Sequence, residues 1–172
     1  MRIQRIYVDT SVIGGCHDPE FSPWSNGLMQ DFRDGRYRPV ISAVVATEIA
    51  GAPTIVQDTY AELLTLNAEL VEVTGEALVL ADAYQRRGIL PARSSADALH
   101  IALATMAEVD VLVSWNFRDV VHFDKIRLFN AVNLELGYKM LQIYSPREVT
   151  TYEAETTSED DGDGPSDSRQ PL

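Results

Sequence analysis

Short apolar runs alternate with longer amphipathic segments along most of this chain, and no other feature of the sequence restricts its fold as strongly. Short strands are predicted at residues 3–8, 39–42, 70–73, 110–114 and 140–144. Helices of about 8–15 residues are predicted between them, at residues 23–36, 43–50, 54–67, 75–87, 95–108 and 126–136. Such helices connect parallel strands, because the chain has to cross back over the sheet. The pattern therefore predicts an α/β fold with a central, mainly parallel sheet.

Length and composition fit a single domain without a membrane span. The chain has 172 residues, of which 45% are hydrophobic, and this is enough to bury one core. It contains no apolar run of about 18 residues, and Asp9 and Thr10 interrupt the first apolar stretch, unlike the core of a signal peptide. Cys16 is the only cysteine, so no internal disulfide can form. We therefore expect a cytoplasmic protein.

The net charge of −12 is concentrated towards one end of the chain. Residues 153–172 contain seven acidic side chains and one basic side chain, with hardly any apolar residue to bury. We predict that residues 151–172 form a disordered acidic tail and that residues 1–150 form the folded domain. The tail can serve as a solubilising end, or it can imitate a nucleic acid and compete for the site. The domain is acidic too, so it offers no extended basic surface to nucleic acid.

Asp9 and Glu48 are the first two candidate functional residues. Asp9 follows a short apolar strand and precedes the hydroxyls of Thr10 and Ser11. Ligand sites of open α/β sheets lie beyond the carboxyl ends of the strands, although an Asp at such a turn can also simply cap the next helix. Glu48 lies in an otherwise apolar helix, where a carboxylate either points to solvent or has a specific partner.

Asp97 and Asn116 complete the set. Asp97 falls in the first turn of a helix that is apolar almost all round, where the helix dipole favours an anion, so a purely structural role is the alternative. His100 lies one turn later, and we predict a hydrogen-bonded core residue rather than a metal ligand. Asn116 follows the strand at residues 110–114, so its amide can reach the same edge of the sheet. Asp119 is predicted to be a capping or surface residue.

Four separate segments thus carry side-chain oxygen atoms that a parallel sheet can gather at one edge. Carboxylates that meet in one pocket repel each other unless a cation neutralises them. Oxygen ligands suit Mg²⁺ or Mn²⁺, ions that contact phosphate oxygens and lower the pKa of a bound water. The sequence therefore predicts a divalent-metal site formed by Asp9, Glu48 and Asp97, and phosphodiester hydrolysis as its chemistry.

Four motifs of the chain resemble those of the PIN-domain family, and in particular its VapC-type toxin ribonucleases. They are IYVDTSVIGG around Asp9, VVATEIAG around Glu48, SSADALHIALA around Asp97 and DVLVSWNFRDV around Asn116. The resemblance implies a PIN-like three-layer α/β/α sandwich and Mg²⁺- or Mn²⁺-dependent cleavage of RNA. It also implies a homodimer and, in type II toxin–antitoxin systems, a cognate antitoxin that blocks the site.

By the same resemblance, the main acids of the family correspond to Asp9, Glu48 and Asp97. Thr10 or Ser11 corresponds to a hydroxyl near the metal. Asn116 departs from the acid that many members have at its position, so one metal ion and two metal ions are alternatives. The predicted catalytic residues are Asp9, Glu48, Asp97 and Asn116.

The preferred hypothesis is a metal-dependent endoribonuclease, in which a water held near Asp9 and Asp97 attacks phosphorus while Glu48 helps to fix the ion. A catalytically degenerate PIN scaffold, acting as a binding or dimerisation module, is the first alternative, and Asn116 and the acidic domain motivate it. The second is phosphoryl transfer through an aspartyl nucleophile at Asp9. That chemistry as usually built needs a second Asp where this chain has Ser11.

Overall fold

The computed structural model describes residues 1–154, and five parallel strands form its centre. They are β1 (Gln4–Val8), β2 (Tyr37–Ser42), β3 (Glu69–Val71), β4 (Val111–Val113) and β5 (Ile143–Tyr144). Their order across the sheet is β3-β2-β1-β4-β5, and every neighbouring pair is parallel. The prediction of a central parallel sheet is confirmed.

Helices cover both faces of this sheet. They are α1 (Thr10–Gly15), α2 (Ser22–Arg33), α3 (Ala43–Ile49), α4 (Thr54–Leu64), α5 (Gly75–Arg86), α6 (Ser95–Met106), α7 (Phe123–Glu135) and α8 (Pro146–Val149). A short 3-10 helix at Ala92–Ser94 precedes α6. The sequence pattern did not predict α1, α8 or the 3-10 helix, because segments this short show no helical period. None of the helices within residues 1–154 is long and apolar enough to cross a membrane.

Alternate residues of each strand pack on opposite sides of the sheet, as the geometry of a strand requires. Tyr7 and Leu112 belong to a core that includes residues of α5, α6 and α7. Val8 and Val113 belong to a second core, with residues of α1, α2, α3 and α4. Two hydrophobic cores thus flank the sheet, which confirms the predicted three-layer α/β/α sandwich.

The strand order reverses at β1, and this reversal positions the site. Strands β2 and β3 lie on one side of β1, and β4 and β5 lie on the other. The connections that leave β1 and β4 therefore diverge and leave a crevice beyond the carboxyl ends of the strands. Val8 pairs with Val113 in the register of β1 and β4. The next residues along the chain, Asp9 and Ser114, are consequently neighbours at this edge.

The last described residues pack against α2. The buried Asp31 carboxylate accepts hydrogen bonds from the Thr150 hydroxyl, at 2.7 Å, and from the Thr151 backbone N–H, at 3.0 Å. The Thr151 hydroxyl also donates to Asp31. The predicted disordered tail falls mainly on residues 155–172, which lie outside the described residues, and it stays a prediction.

Close packing of α1 predicts opposite effects of Ala at two neighbouring glycines. A Cβ at Gly15 would lie 2.6 Å from Trp115 Nε1 and 2.7 Å from Ser25 Oγ, whereas a Cβ at Gly14 would meet nothing within 4 Å. We expect Gly15→Ala to lower the free energy of unfolding by about 2 kcal/mol, because both neighbours are themselves tightly packed. Gly14→Ala should raise it by about 0.5 kcal/mol, since Ala is the better helix former. Urea unfolding measures both, and equal stability of the two variants would contradict the packing.

Candidate functional site

The Asp9 carboxylate is buried at the end of β1 and is hydrogen-bonded through one of its oxygens. Its Oδ2 accepts hydrogen bonds from the hydroxyls of Ser114, at 2.6 Å, and Ser11, at 2.9 Å. Its Oδ1 lies 3.4 Å from His100 Nε2. Asp9 occupies the N-cap position of α1, but its side chain makes no capping hydrogen bond. The alternative in which Asp9 merely caps the next helix is therefore wrong.

Glu48 reaches the same place from α3. Its Oε1 lies 2.6 Å from His100 Nε2 and accepts a hydrogen bond from the Thr10 hydroxyl at 3.1 Å. Burial alone would raise the pKa of Glu48, but the hydrogen bond and the positive charge of His100 outweigh it and lower the pKa. The side chain is 38% exposed. Glu48 thus has a specific partner and stands at the solvent side of the cluster.

His100 is the buried link between these two acids. Its Nε2 contacts Glu48 and Asp9, and its Nδ1 lies 2.7 Å from the Tyr7 hydroxyl, which pairs in turn with Ser42 Oγ at 2.6 Å. Burial alone would lower the pKa of His100, but the hydrogen bond to Glu48 and the neighbouring carboxylates raise it. The prediction of a buried, hydrogen-bonded histidine is confirmed. Its place between two candidate acids was not predicted.

Asp97 and Asn116 form the other side of the site. Asp97 lies in the first turn of α6, and Asn116 follows β4. The Asn116 side-chain N–H donates to Asp97 Oδ2 at 3.2 Å. The pKa of Asp97 is raised to about 6, first because the carboxyl is partly buried and then because the negative charge of Asp9 is close. Asp97 is therefore a helix-start acid that also faces the other carboxylates.

Asp119 corrects the sequence-based prediction of a capping or surface residue. Its carboxylate is buried, accepts a hydrogen bond from the Ser94 hydroxyl at 3.1 Å and pairs with the Lys125 ammonium at 2.7 Å. Ser94 occupies the N-cap position of α6, but its side chain makes no capping hydrogen bond. The Asp119 backbone N–H donates to Asn116 Oδ1 at 3.0 Å, so this loop holds Asn116 in place.

The predicted site residues form two linked groups, one in which Asp9 and Glu48 share His100 and one in which Asn116 donates to Asp97. The two groups are near enough for the charges of Asp9 and Glu48 to contribute, after burial, to the raised pKa of Asp97. Thr10 and Ser11 are divided between the acids, since Thr10 donates to Glu48 and Ser11 donates to Asp9. Sequence reasoning missed Ser114, although the pairing of β1 with β4 places it beside Asp9. The signal that could have found it is that Ser114 directly follows the apolar run of residues 111–113, as Asp9 directly follows Val8.

The donor set suits a hard divalent ion, because the three acids offer only oxygen atoms. Among residues 1–154, however, no group of three His, Cys, Asp or Glu side chains stands close enough to hold an ion as the side chains lie. The His100 ring lies between Asp9 and Glu48. The predicted roles of Asp9, Glu48 and Asp97 as metal ligands stay predictions.

Comparison with known proteins supports the fold. Neither a protein-family model nor a curated protein matches the chain. Among solved structures, the chain is similar to one in the crystal structure of VapBC2 from Rickettsia felis bound to a DNA fragment from their promoter. The TM-score is 0.52 and the sequence identity is 12%, over 83% of this chain and 98% of that chain. At this identity the likeness shows the fold alone, and it agrees with the sandwich that the PIN-like motifs implied.

Removing the charge of Asp97 is expected to stabilise the metal-free domain. Its pKa of about 6 in the folded protein lies above the ordinary value of 3.8, so folding disfavours the ionised form. The penalty grows as pH rises from about 4 to about 6 and is fully present above that range. In EDTA at pH 8, Asp97→Asn should raise the free energy of unfolding by about 1 kcal/mol, with solvent screening allowed for. The gain should vanish below about pH 4.

Asp119→Asn is the matched control, and it should lower the free energy of unfolding at pH 8. Burial alone would raise the pKa of Asp119, but Lys125 and Ser94 hold it below its ordinary value. Its stabilising contribution is therefore present above the unfolded pKa and is lost as pH falls through the folded pKa. Urea unfolding at pH 4 and pH 8 compares the variants. If both lost stability at pH 8, charge crowding at Asp97 would be refuted.

Proposed function

We propose that this chain is a PIN-like, metal-dependent endoribonuclease, and that it serves as the toxin of a type II toxin–antitoxin pair. The observation that carries the proposal is the proximity of Asp9, Glu48 and Asp97, of which the first two contact His100 and both act by their charge on the third. They come from the end of β1, from α3 and from the start of α6. The crevice lies at the carboxyl edge of a parallel sheet, where α/β proteins bind their ligands. The fold likeness to a chain of the VapBC2 structure supports the same class.

In this proposal Asp9, Glu48 and Asp97 hold Mg²⁺ or Mn²⁺. A bound ion supplies positive charge to phosphate oxygens and lowers the pKa of an attacking water. The chain contributes the orientation of its acids. Ser11 and Ser114 fix one oxygen of Asp9 by hydrogen bonds, and the other lies 3.4 Å from His100 Nε2.

Glu48 and Asp97 are held differently. Thr10 donates to Glu48, which remains partly exposed and can turn towards an ion. Asn116 donates to one oxygen of Asp97. These contacts leave each acid at least one oxygen that is free to take a further partner, as a ligand shell requires.

RNA, a cognate antitoxin and a second copy of the chain are the proposed partners. The similar solved structure is named as VapBC2 bound to promoter DNA. For the present chain we infer a protein antitoxin that covers the crevice and keeps RNA away from Asp9.

Replacing Asp9 is the direct test of the nuclease. We expect Asp9→Asn to reduce Mg²⁺- or Mn²⁺-dependent cleavage of single-stranded RNA at least about 100-fold, because a neutral amide neither binds the ion well nor positions water. The amide oxygen can still accept a hydrogen bond from Ser114, so the thermal midpoint should change little. Gel analysis of a labelled RNA with and without EDTA measures the rate.

Asp58→Asn, which removes an exposed acid from α4, is the control for net charge. It should cleave RNA at the rate of the unsubstituted chain. Undiminished cleavage by the Asp9 variant would refute the assignment of Asp9, whatever the control does.

Asn116 favours a second candidate function, a degenerate PIN scaffold that binds without catalysis. Its amide is neutral and adds no charge to the acids. If the chain is such a scaffold, it should cleave no RNA, and titration with Mn²⁺ should give no calorimetric signal. A Mn²⁺-stimulated cut in single-stranded RNA would exclude it.

Converting Asn116 to Asp tests whether these side chains act together as a metal site. A carboxylate here replaces the hydrogen bond to Asp97 with repulsion, so Asn116→Asp should lower stability in EDTA at pH 8 by about 1 kcal/mol. The added charge should tighten Mn²⁺ binding about tenfold. Thermal unfolding with and without Mn²⁺ measures both effects. Asn67→Asp, at an exposed position after α4, should show neither, and an equal response of both variants to Mn²⁺ would count against the site.

A further inference from the structure

A cleft of aromatic side chains opens one residue away from the candidate catalytic Asn116. Trp115 and Phe117 are its immediate neighbours in the chain. The Trp115 backbone N–H donates to Ser11 Oγ at 2.9 Å, and the Ser11 hydroxyl donates to Asp9, so the base of the cleft is joined to the site. The cleft encloses about 370 Å³. Its principal lining residues are Phe21, Trp24, Trp115, Phe117 and Arg147.

The rings of this aromatic cleft are held in place by their own contacts. Trp115 stacks on Phe21, with ring centroids 4.3 Å apart and planes inclined by 18°, and its indole N–H donates to Ser25 Oγ at 2.8 Å. Phe117 meets Trp115 edge to face, with centroids 6.1 Å apart. Phe117 is nevertheless 50% exposed. The packed Trp115 ring thus forms the wall of the cleft, and the half-exposed Phe117 ring offers a face on which a ligand can stack.

The charges around the aromatic cleft favour a base over a phosphate. The Arg147 guanidinium lies over the Trp24 ring, 5.0 Å from its centroid. Glu20 and Glu148 also line the cleft, so carboxylates outnumber the guanidinium and oppose a phosphate group. The same carboxylate oxygens can accept hydrogen bonds from the N–H groups on the edge of a nucleobase.

We propose that the aromatic cleft is a stacking subsite for an unpaired nucleobase beside the scissile phosphate, and that it directs the enzyme to single-stranded RNA. The inference rests on the proposed function, since it takes RNA as the substrate of the adjoining crevice. Stacking on an aromatic ring needs a base whose face is open. In a duplex both faces are covered by neighbouring bases. The cleft therefore accepts loops and single strands and rejects paired RNA.

The test measures binding apart from cleavage, with the full chain carrying Asp9→Asn. The probe is a fluorescently labelled single-stranded RNA of about ten nucleotides, followed by anisotropy. Adding Phe117→Ala should weaken binding about tenfold, because one stacking surface is lost. Phe123→Ala should leave binding unchanged, since Phe123 is 75% exposed but lies on α7, outside the cleft. Phe117→Trp should keep the affinity and Phe117→Leu should lose it, which distinguishes stacking from apolar bulk.

Each outcome bears on the subsite or on the nuclease separately. Equal affinities of the Phe117→Ala and Phe123→Ala variants would overturn the subsite. An equal loss for the same RNA annealed to its complement would overturn the preference for single strands. Weaker binding by Phe117→Ala, with no cleavage by the unsubstituted chain, would support the subsite and refute the nuclease. Metal-dependent cleavage with an unchanged KM in Phe117→Ala would refute the subsite alone.

Discussion

The site depends on the compensation of one buried charge. Asp9 is 5% exposed at the end of the central strand, where an ionised carboxylate is costly unless it is paired and hydrogen-bonded. Ser11 and Ser114 donate to one of its oxygens, and His100 lies beside the other. Ser11 belongs to α1, Ser114 follows β4 and His100 belongs to α6. Helices α1 and α6 pack on opposite faces of the sheet. Compensating Asp9 thus joins both layers of helices to the strand between them.

The two acidic residues that hydrogen-bond with Asn116 differ in how their charges are compensated. Asp119 has its own cation, Lys125, and a hydroxyl donor in Ser94, so its charge is neutralised within the domain. Asp97 has only a neutral amide as its hydrogen-bond donor, and burial together with the nearby charge of Asp9 raises its pKa. The ionised Asp97 carboxylate therefore lowers the free energy of unfolding instead of raising it. Such groups concentrate at functional sites, because a bound cation or substrate makes use of the charge.

The fold was predictable because periodic patterns survive where residue identities do not, as the 12% identity to a chain of the VapBC2 structure illustrates. Asp9 was predictable because it follows a strand. The position of His100 between Asp9 and Glu48 was not, since it depends on how α3 and α6 pack across the edge of the sheet. The burial of Asp119 was missed for a similar reason. Its cation, Lys125, belongs to the next helix, and sequence spacing alone does not show that the two side chains meet.

The distribution of charge restricts how such a domain can recognise RNA. Residues 1–152 carry 19 acidic and 13 basic side chains, so at long range the domain repels a polyanion. The proposed function therefore relies on contacts that act over a few ångström, namely an ion held by the three acids and a base stacked in the aromatic cleft. Neither contact provides as much binding free energy as a broad basic surface, which could offset the cost of breaking base pairs in a duplex. Recognition built in this way selects RNA whose bases are already unpaired, because only there can both contacts form without first breaking base pairs.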